Sequence, residues 1–562
     1  MATNAKRFSA SAVSAALLSI ILAAPSAWAD GWVDHTEDYT VVDQTITIST
    51  PGQLAKIAVD CNAGETFAGY TITLANDLDL SGKYWTPIGD SMRDETGTIY
   101  AFSGTFNGNG HTITGLNNDG YVPAHPVSGY YGYGLFGYVN GTTVISNLTM
   151  AAVQIVNECA GSNGDSVGSV VGFNTGSLLL SDCHLISGSV SGHKGVGGVL
   201  GRDYAKSGQV IVTNCTNAAT VNTDNYQAGG VVGTIGYWDA LVVDCVNNGE
   251  VTGNQSLGGV VACITSPNAG ANIRIVRCVN NGVIGATGLA KVGAAGVLGY
   301  TQADSKIEWN IEVRDCTNTA PVSSTVKAGG ICSGNGSSGT SFVSAEKFFN
   351  CVNTGDISVT AGNGVAAGLA TWANPNDLRF FENCVVKDCV ISSTGTATAF
   401  STTGQTASGS SATILGTVTV GGVAQAPGLY VYNGSAWAQK IAVGEVTYDN
   451  NSYSNVVAKY NVSACDLGEG ESAEVTLTVK NQAGVVVGTI TRDITAVGDQ
   501  EVILDASNVD GFEPNQIYNI EAKTEFNDGT AAKTLSDTVE TYMNVGWLTN
   551  EYFAAVADGE NT

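Results

Sequence analysis

The sequence predicts an all-β chain: a right-handed parallel β-helix, or solenoid, with an N-terminal cap before it and a small β-sandwich after it. Three observations carry this expectation. First, Cys215, Cys245, Cys278, Cys316 and Cys351 are each followed by Asn two residues later and by Val or Ile six residues later, with looser copies at Cys183 and Cys384. Successive cysteines of this series lie 32, 30, 33, 38, 35 and 33 residues apart, and a fixed period of this size marks a repeat architecture whose units bury their apolar faces by stacking. Second, each copy is answered by a small pair and an apolar residue, as in Gly197-Gly198-Val199, Gly229-Gly230-Val231, Gly258-Gly259-Val260, Ala295-Gly296-Val297, Gly329-Gly330-Ile331 and Ala367-Gly368-Leu369. Third, the Cys, Asn and Val/Ile positions share even parity, which puts them on one side of an extended chain. Ankyrin and tetratricopeptide repeats need helices that this pattern lacks, and propeller blades need roughly 40 to 50 residues each.

Stacking about 4.8 Å apart explains the residue choices. A column of Asn217, Asn247, Asn280, Asn318 and Asn353 can pass side-chain amide hydrogen bonds from turn to turn, and Asn tolerates the left-handed backbone of a sharp corner. The cysteines, small and apolar, suit a crowded interior. Side chains on stacked turns run parallel, so their Cβ atoms sit beyond the usual disulfide range of about 3.5 to 4.5 Å; most of the 13 cysteines are expected to be reduced thiols.

In chain order, residues 1–29 read as a secretory signal peptide: Lys6 and Arg7, an apolar stretch from Ala10 to Ala24, and Ala27-Trp28-Ala29 before Asp30, the composition of a cleaved leader. No later run of 18 apolar residues follows, so no integral membrane segment is expected in the mature chain, and the localisation read from the sequence is secreted, extracellular or cell surface. Loss of Lys6 and Arg7 takes the formal charge from −27 to −29. With 23 basic against 50 acidic residues, nucleic acid is excluded as a partner by repulsion.

Residues 30–100 are assigned to the cap and first turns. Thr50-Pro51-Gly52-Gln53 matches a capping box with Pro at the first helical position, and Leu54, Ile57, Ala58 and Cys61 fall at helical spacing, predicting a short helix. Residues 101–400 hold the repeats. Residues 401–440, rich in Ser, Thr and Gly at first, read as a linker and then a hairpin turning at Asn433-Gly434. Short alternating segments in 441–542 suggest an immunoglobulin- or fibronectin-like sandwich, and 543–562 a tail.

A family resemblance enters between Leu78 and Gly137. Leu78-Asp79-Leu80, Trp85-Thr86-Pro87-Ile88-Gly89, the run Phe102-Ser103-Gly104-Thr105-Phe106-Asn107-Gly108-Asn109-Gly110-His111-Thr112-Ile113, and Gly134-Leu135-Phe136-Gly137 resemble secreted bacterial proteins carrying the GLUG repeat. The resemblance covers about residues 45 to 400 and implies a β-solenoid module of a bacterial surface or secreted protein. Some relatives of that kind precede a zinc peptidase that cuts immunoglobulin A. That chemistry needs His-Glu-x-x-His, and His35, His111, His125, His184 and His193 show no such spacing.

No catalytic residue, cofactor or metal is therefore assigned. The column preceding the cysteines, Asp182, Asn214, Asp244, Arg277, Asp315, Asn350 and Asn383, places Arg277 between two aspartates on neighbouring turns, read as cross-strand pairing. Asn76, Asp77 and Asp79 offer oxygen to a calcium ion, but three donors on one short loop fall short of the roughly six to eight required, and the stretch reads as a solvated turn. The candidate ligand-binding residues are Tyr121, Tyr130, Tyr131 and Tyr133, an aromatic loop suited to stacking on sugars. The expected function is a non-catalytic, adhesin-like repeat protein presenting loops to a host glycan, mucin or matrix protein; the alternative is a polysaccharide lyase or hydrolase of the parallel β-helix type. Oligomeric state is left open.

Overall fold

The computed structural model describes residues 30–545 apart from 90–99, 120, 122–131, 158–165, 206, 269, 289–292, 304–309, 338–344, 373–377, 403–405, 445, 453–454, 513–515, 530–531 and 535–538. The expected leader, 1–29, lies outside the described residues, as does the expected tail, 543–562, except for 543–545, which end the strand Val539–Val545.

The repeats stack as a parallel β-solenoid of about nine turns. One turn shows the plan. Val251–Gly258 belongs to a second sheet, Val261–Thr265 to a third, and Asn272–Val276 with Val279–Asn280 to a first. The next turn repeats the order with every strand in parallel register: Val251 opposite Ile284, Val261 opposite Leu298, Ile273 opposite Ile311 and Asn280 opposite Asn318. Like residues lie on like residues, so Val212, Val242, Ile275 and Val313 form one inward column of the first sheet, each at most 1 % exposed.

A left-handed bend divides each first-sheet segment. Asp182, Asn214, Asp244, Arg277, Asp315, Asn350 and Asn383 all have φ between 50° and 55°. Asn and Asp adopt this conformation with little penalty because their short side chains bond locally. The bend also resets strand parity: Val242 and Cys245, three residues apart, both face the core, and from Cys245 onward Asn247 and Val251 continue inward.

Stacking begins within residues 30–100, the segment assigned to the cap and first turns. Thr45–Ile48 pairs in parallel with Thr71–Leu74, which pairs with Thr105–Asn107. Between the first two of these strands lies the helix Pro51–Asn62. Its N-terminus is satisfied as its sequence dictates: Thr50 Oγ1 accepts from Gln53 N at 3.2 Å, and Gln53 Oε1 accepts from Ser49 N at 2.8 Å. Leu54, Ala55, Ile57, Ala58 and Cys61 are buried against the solenoid core.

The segment read as a linker is structured. Ser411–Leu415 pairs in parallel with Cys384–Lys387 and antiparallel with Gly428–Tyr432, because its hydroxyls are satisfied within the fold; Ser410 Oγ, for example, accepts from Phe381 N at 3.1 Å. Gly428–Tyr432 then forms the expected hairpin with Trp437–Val443, whose turn is held by Asn433 Oδ1 accepting from Ser435 N and Ala436 N, both at 3.0 Å. Trp437–Val443 pairs with Asn455–Cys465, and that strand with Gly498–Asp505. The first sheet of the solenoid thus runs without a break into one sheet of the C-terminal domain. A second antiparallel sheet, built from Val486–Asp493, Ser472–Lys480, Gln516–Asn527, Ala532–Thr534 and Val539–Val545, faces it. Val456, Ala458, Leu504, Val475, Leu477 and Ile520 fill the space between.

Candidate functional site

The polar positions of the repeat are committed to stacking. Asn217 Nδ2 donates to Asn247 Oδ1, Asn247 to Asn280, Asn280 to Asn318 and Asn318 to Asn353, each at 2.8 Å. The same Nδ2 groups donate to the carbonyl two residues on, at 2.8 to 3.0 Å. All five Asn are completely buried, so the ladder satisfies amides that would otherwise cost free energy in the core. At its end Asn353 Nδ2 meets Cys389 Sγ at 3.8 Å.

Beside it runs the cysteine column. Cys183, Cys215, Cys245, Cys278, Cys316, Cys351 and Cys384 are buried free thiols, and each Sγ reaches backbone carbonyls of its own and the preceding turn. Cys245 Sγ, for example, lies 3.3 Å from Val243 O and 3.6 Å from Val212 O. Burial pushes the thiol of Cys332 up to about 11 and that of Cys389 up to about 12, because an apolar surrounding disfavours thiolate.

The charged column sits on the outer side of the left-handed bend and pairs with itself. Arg277 donates from Nε and Nη2 to Asp244 Oδ1 and Oδ2, both at 2.7 Å; the guanidinium holds the Asp244 carboxyl below its usual range. Asn214 Nδ2 donates to Asp182 at 2.6 Å, Asn350 to Asp315 at 2.8 Å and Asn383 to Asn350 at 3.0 Å. Arg277 therefore pairs with one aspartate, not both. These groups are largely exposed, spread one per turn, and aligned along the rod.

The calcium candidates do not converge. Asp77 Oδ1 accepts from Thr112 N at 2.9 Å and lies 3.1 Å from His111 Nδ1, Asp79 Oδ1 accepts from Ser81 N at 2.9 Å, and Asn76 Nδ2 donates to Ser49 O at 3.0 Å. Each makes its own local turn.

The aromatic loop is corrected in part. Tyr133 is only 3 % exposed and belongs to the core, so its ring is not available to stack on a sugar. Tyr121 is half-buried and meets Tyr133 edge-on, with centroids 6.0 Å apart; it covers the core. Tyr130 and Tyr131 lie outside the described residues. The physical reason is the glycine turn that follows, Gly134-Leu135-Phe136-Gly137, which carries its flanking residues inward.

Two charged clusters went unread in the sequence. Inside the rod, Arg379 and Glu346, each 1 % exposed, pair at 2.5 Å. Arg379 Nη1 also donates to Thr371 O at 2.9 Å, and Thr301 Oγ1 donates to Glu346 Oε1. Near the third sheet, Arg202 is fully buried, and Asp203 beside it is 1 % exposed. Asp203 Oδ1 accepts from Asn174 Nδ2 at 2.7 Å and Ala205 N at 3.0 Å, yet burial outweighs these bonds and raises its carboxyl to about 7. Neither cluster joins a nucleophile to a base.

An aromatic row follows the same register. Tyr138, Phe173, Tyr204 and Tyr237, on successive turns, have centroids 5.4, 5.7 and 5.1 Å apart. Tyr138 and Phe173 are buried; Tyr204 and Tyr237 are half-buried, and Trp238 next to them is exposed. Tyr237 has φ 45°, unusual for a bulky residue.

These features define a parallel β-solenoid with a terminal antiparallel β-sandwich. No protein-family profile matches the chain, so the GLUG likeness stays a resemblance. Over 136 residues, 24 % of the chain, it is 32 % identical to Halomucin of Haloquadratum walsbyi, of which the match spans 1 %. Among solved structures, a Bacteroides ovatus protein provisionally assigned as an immunoglobulin A1 protease aligns over 69 % of this chain and 81 % of its own, at 13 % identity and a TM-score of 0.29.

Proposed function

We propose that the chain is a secreted or cell-surface, non-catalytic solenoid of adhesin type, holding turn insertions out to a glycan, mucin or matrix protein, with the sandwich, of immunoglobulin or fibronectin kind, as a spacer behind it. One observation carries the reading: the recurring polar residues bond to one another along the rod, the Asn ladder inside and the Asp244–Arg277 type of pair outside. Groups whose hydrogen bonds are spent on neighbouring turns are not poised for proton transfer. Among the described residues no helix is long and apolar enough to cross a membrane. The short stretch alike to Halomucin fits the reading without carrying it.

The test has two arms on the chain from residue 30 onward. Binding to an array of glycans, mucin and matrix proteins is expected, and incubation with anionic polysaccharides is expected to release no new reducing or unsaturated ends. Polysaccharide turnover that is lost on Asp244→Asn or Arg277→Gln would replace this reading with the β-helix lyase or hydrolase.

A further inference from the structure

Asn433 stands at an exposed hairpin tip with its side-chain amide set against its own main chain. The tip joins Gly428–Tyr432 to Trp437–Val443, and Asn433, Gly434 and Ser435 are all exposed. Three donors converge on one oxygen: Asn433 Oδ1 accepts from Ser435 N at 3.0 Å, from Ser435 Oγ at 2.8 Å and from Ala436 N at 3.0 Å. The ring closed by the first of these bonds runs through Gly434 N, so the side chain is folded back over the peptide group that follows it. Gly434 has φ +95°, and a Cβ there would meet nothing nearer than 3.9 Å, so the glycine stands in open space.

Other Asn-Gly pairs of the chain are held differently. Gly108, Gly110 and Gly364 each donate their N–H to a main-chain carbonyl, of Ser146, Asn147 and Ala361, at 2.8 to 2.9 Å. In the repeats, Gly249 N donates to Asn247 Oδ1 at 3.2 Å and Gly282 N to Asn280 Oδ1 at 3.3 Å. The inner ladder thus occupies the nitrogen that follows Asn248 and Asn281, although both of those asparagines are exposed. Their own side-chain oxygens each accept a single bond, Asn248 Oδ1 from Asn281 Nδ2 at 2.9 Å and Asn281 Oδ1 from Thr319 Oγ1 at 2.7 Å. Among the described residues, Gly434 N donates to no acceptor.

We propose that Asn433 is a site of self-modification, at which Gly434 N attacks Asn433 Cγ and closes a succinimide. The Gly434 N–H proton passes to hydroxide, the new N–Cγ bond forms, and the Cγ–Nδ2 bond breaks as Nδ2 takes a proton from water and leaves as ammonia. Water then opens the ring at either carbonyl, leaving an aspartyl or an isoaspartyl residue at position 433. Negative charge develops on Oδ1 in the tetrahedral intermediate, and the three bonds from Ser435 and Ala436 strengthen as it does. Keeping both reacting groups within one short ring supplies their proximity. The change falls on a hairpin that belongs to both cores: Leu429 and Ile441 pack in the sandwich, Tyr430 and Trp437 against the solenoid. An isoaspartyl link lengthens the main chain at their common turn.

The test holds the chain from residue 30 onward at mildly alkaline pH, once folded and once in urea, and digests it at intervals. Mass spectrometry follows the amide-to-acid conversion at Asn433, Asn248 and Asn281, and an isoaspartyl methyltransferase counts the isoaspartyl product. In the folded chain Asn433 is expected to convert about ten-fold faster than Asn248 and Asn281, giving both products, and in urea the three rates are expected to converge. Ser435→Ala removes one donor at an exposed position and is expected to slow conversion at Asn433 in the folded chain by about three-fold. The proposal falls if Asn433 converts no faster than Asn281 in the folded chain, if the gap survives in urea, if only the aspartyl product forms, or if Ser435→Ala leaves the folded-state rate unchanged.

Discussion

Gly259 lies against Asn280 so closely that a Cβ added to the glycine would sit 2.3 Å from the Asn Cγ and 2.0 Å from Gly296 O. The same relation joins Gly230 to Asn247, Gly296 to Asn318 and Gly330 to Asn353, at 2.2, 2.2 and 2.4 Å from Cγ. The two halves of the repeat are therefore one device: the glycine pair exists where the next turn's Asn ladder passes beneath it. Gly259→Ala is expected to destabilise the chain by about 1 to 3 kcal/mol, the usual cost of overpacking a rigid core. Gly285→Ala, whose Cβ would meet nothing nearer than 3.6 Å, should be close to neutral. Denaturant midpoints of the two variants check the difference.

The thiol column gives a second expectation. Sulfurs buried in a packed core are out of reach of a reagent and react slowly in the folded state. Titration with a thiol reagent at pH 8 should leave the 11 buried cysteines unreacted in the native chain and find most of the 13 after unfolding without reductant. A low count after unfolding would mean disulfides.

Asp203 should make stability depend on pH. Its folded pKa of about 7 stands above the ordinary 3.8, so the folded state holds its proton where the unfolded chain has released it. The resulting stability is fully present below about pH 4 and is lost as pH rises through about 7; the difference amounts to a few kcal/mol at roughly 1.4 kcal/mol per unit. Asp203→Asn keeps an acceptor oxygen and removes the titration. Comparing parent and variant midpoints between pH 4 and pH 8 should show the parent losing ground only at the higher pH.

The Glu346–Arg379 pair belongs to the rod's interior, where removing one partner strands the other. Arg379→Met is expected to cost about 3 to 5 kcal/mol, and Glu346→Gln with Arg379→Met together much less than the sum of the two singles. A thermodynamic cycle from urea unfolding measures this.

What was legible in the sequence was whatever repeats. The Asn ladder, the inward cysteines and the cap helix follow from parity and spacing within a few residues. The left-handed bend at Asp244 was not legible, because it shifts parity by one between Val242 and Cys245, and only the structure shows Asp and Asn recurring there for their backbone. Glu346 shares parity with inward Phe348, but its partner stands 33 residues away and no local signal joins them. The stretch around Ser411 looked like a linker by composition, since Ser and Thr are frequent in linkers; in this fold their hydroxyls are buried in a sheet. Tyr121, Tyr130, Tyr131 and Tyr133 cluster in the sequence, and clustering does not distinguish a ring that covers the core from one that faces solvent. Arg202 is fully buried, yet it follows an ordinary glycine turn that carries no sign of an interior charge.

The ladder is tested most directly by the unfolding midpoint of Asn280→Leu, with Asn281→Leu, an exposed neighbour on the same turn, as its control. Loss of the Asn280 amide strands the donor of Asn247 above, the acceptor of Asn318 below and the Gly282 carbonyl, at about 1 to 3 kcal/mol for each buried group left unsatisfied. The account predicts a large drop in midpoint for Asn280→Leu and little change, within about 0.5 kcal/mol, for Asn281→Leu. Equal midpoints for Asn280→Leu and the parent would contradict it.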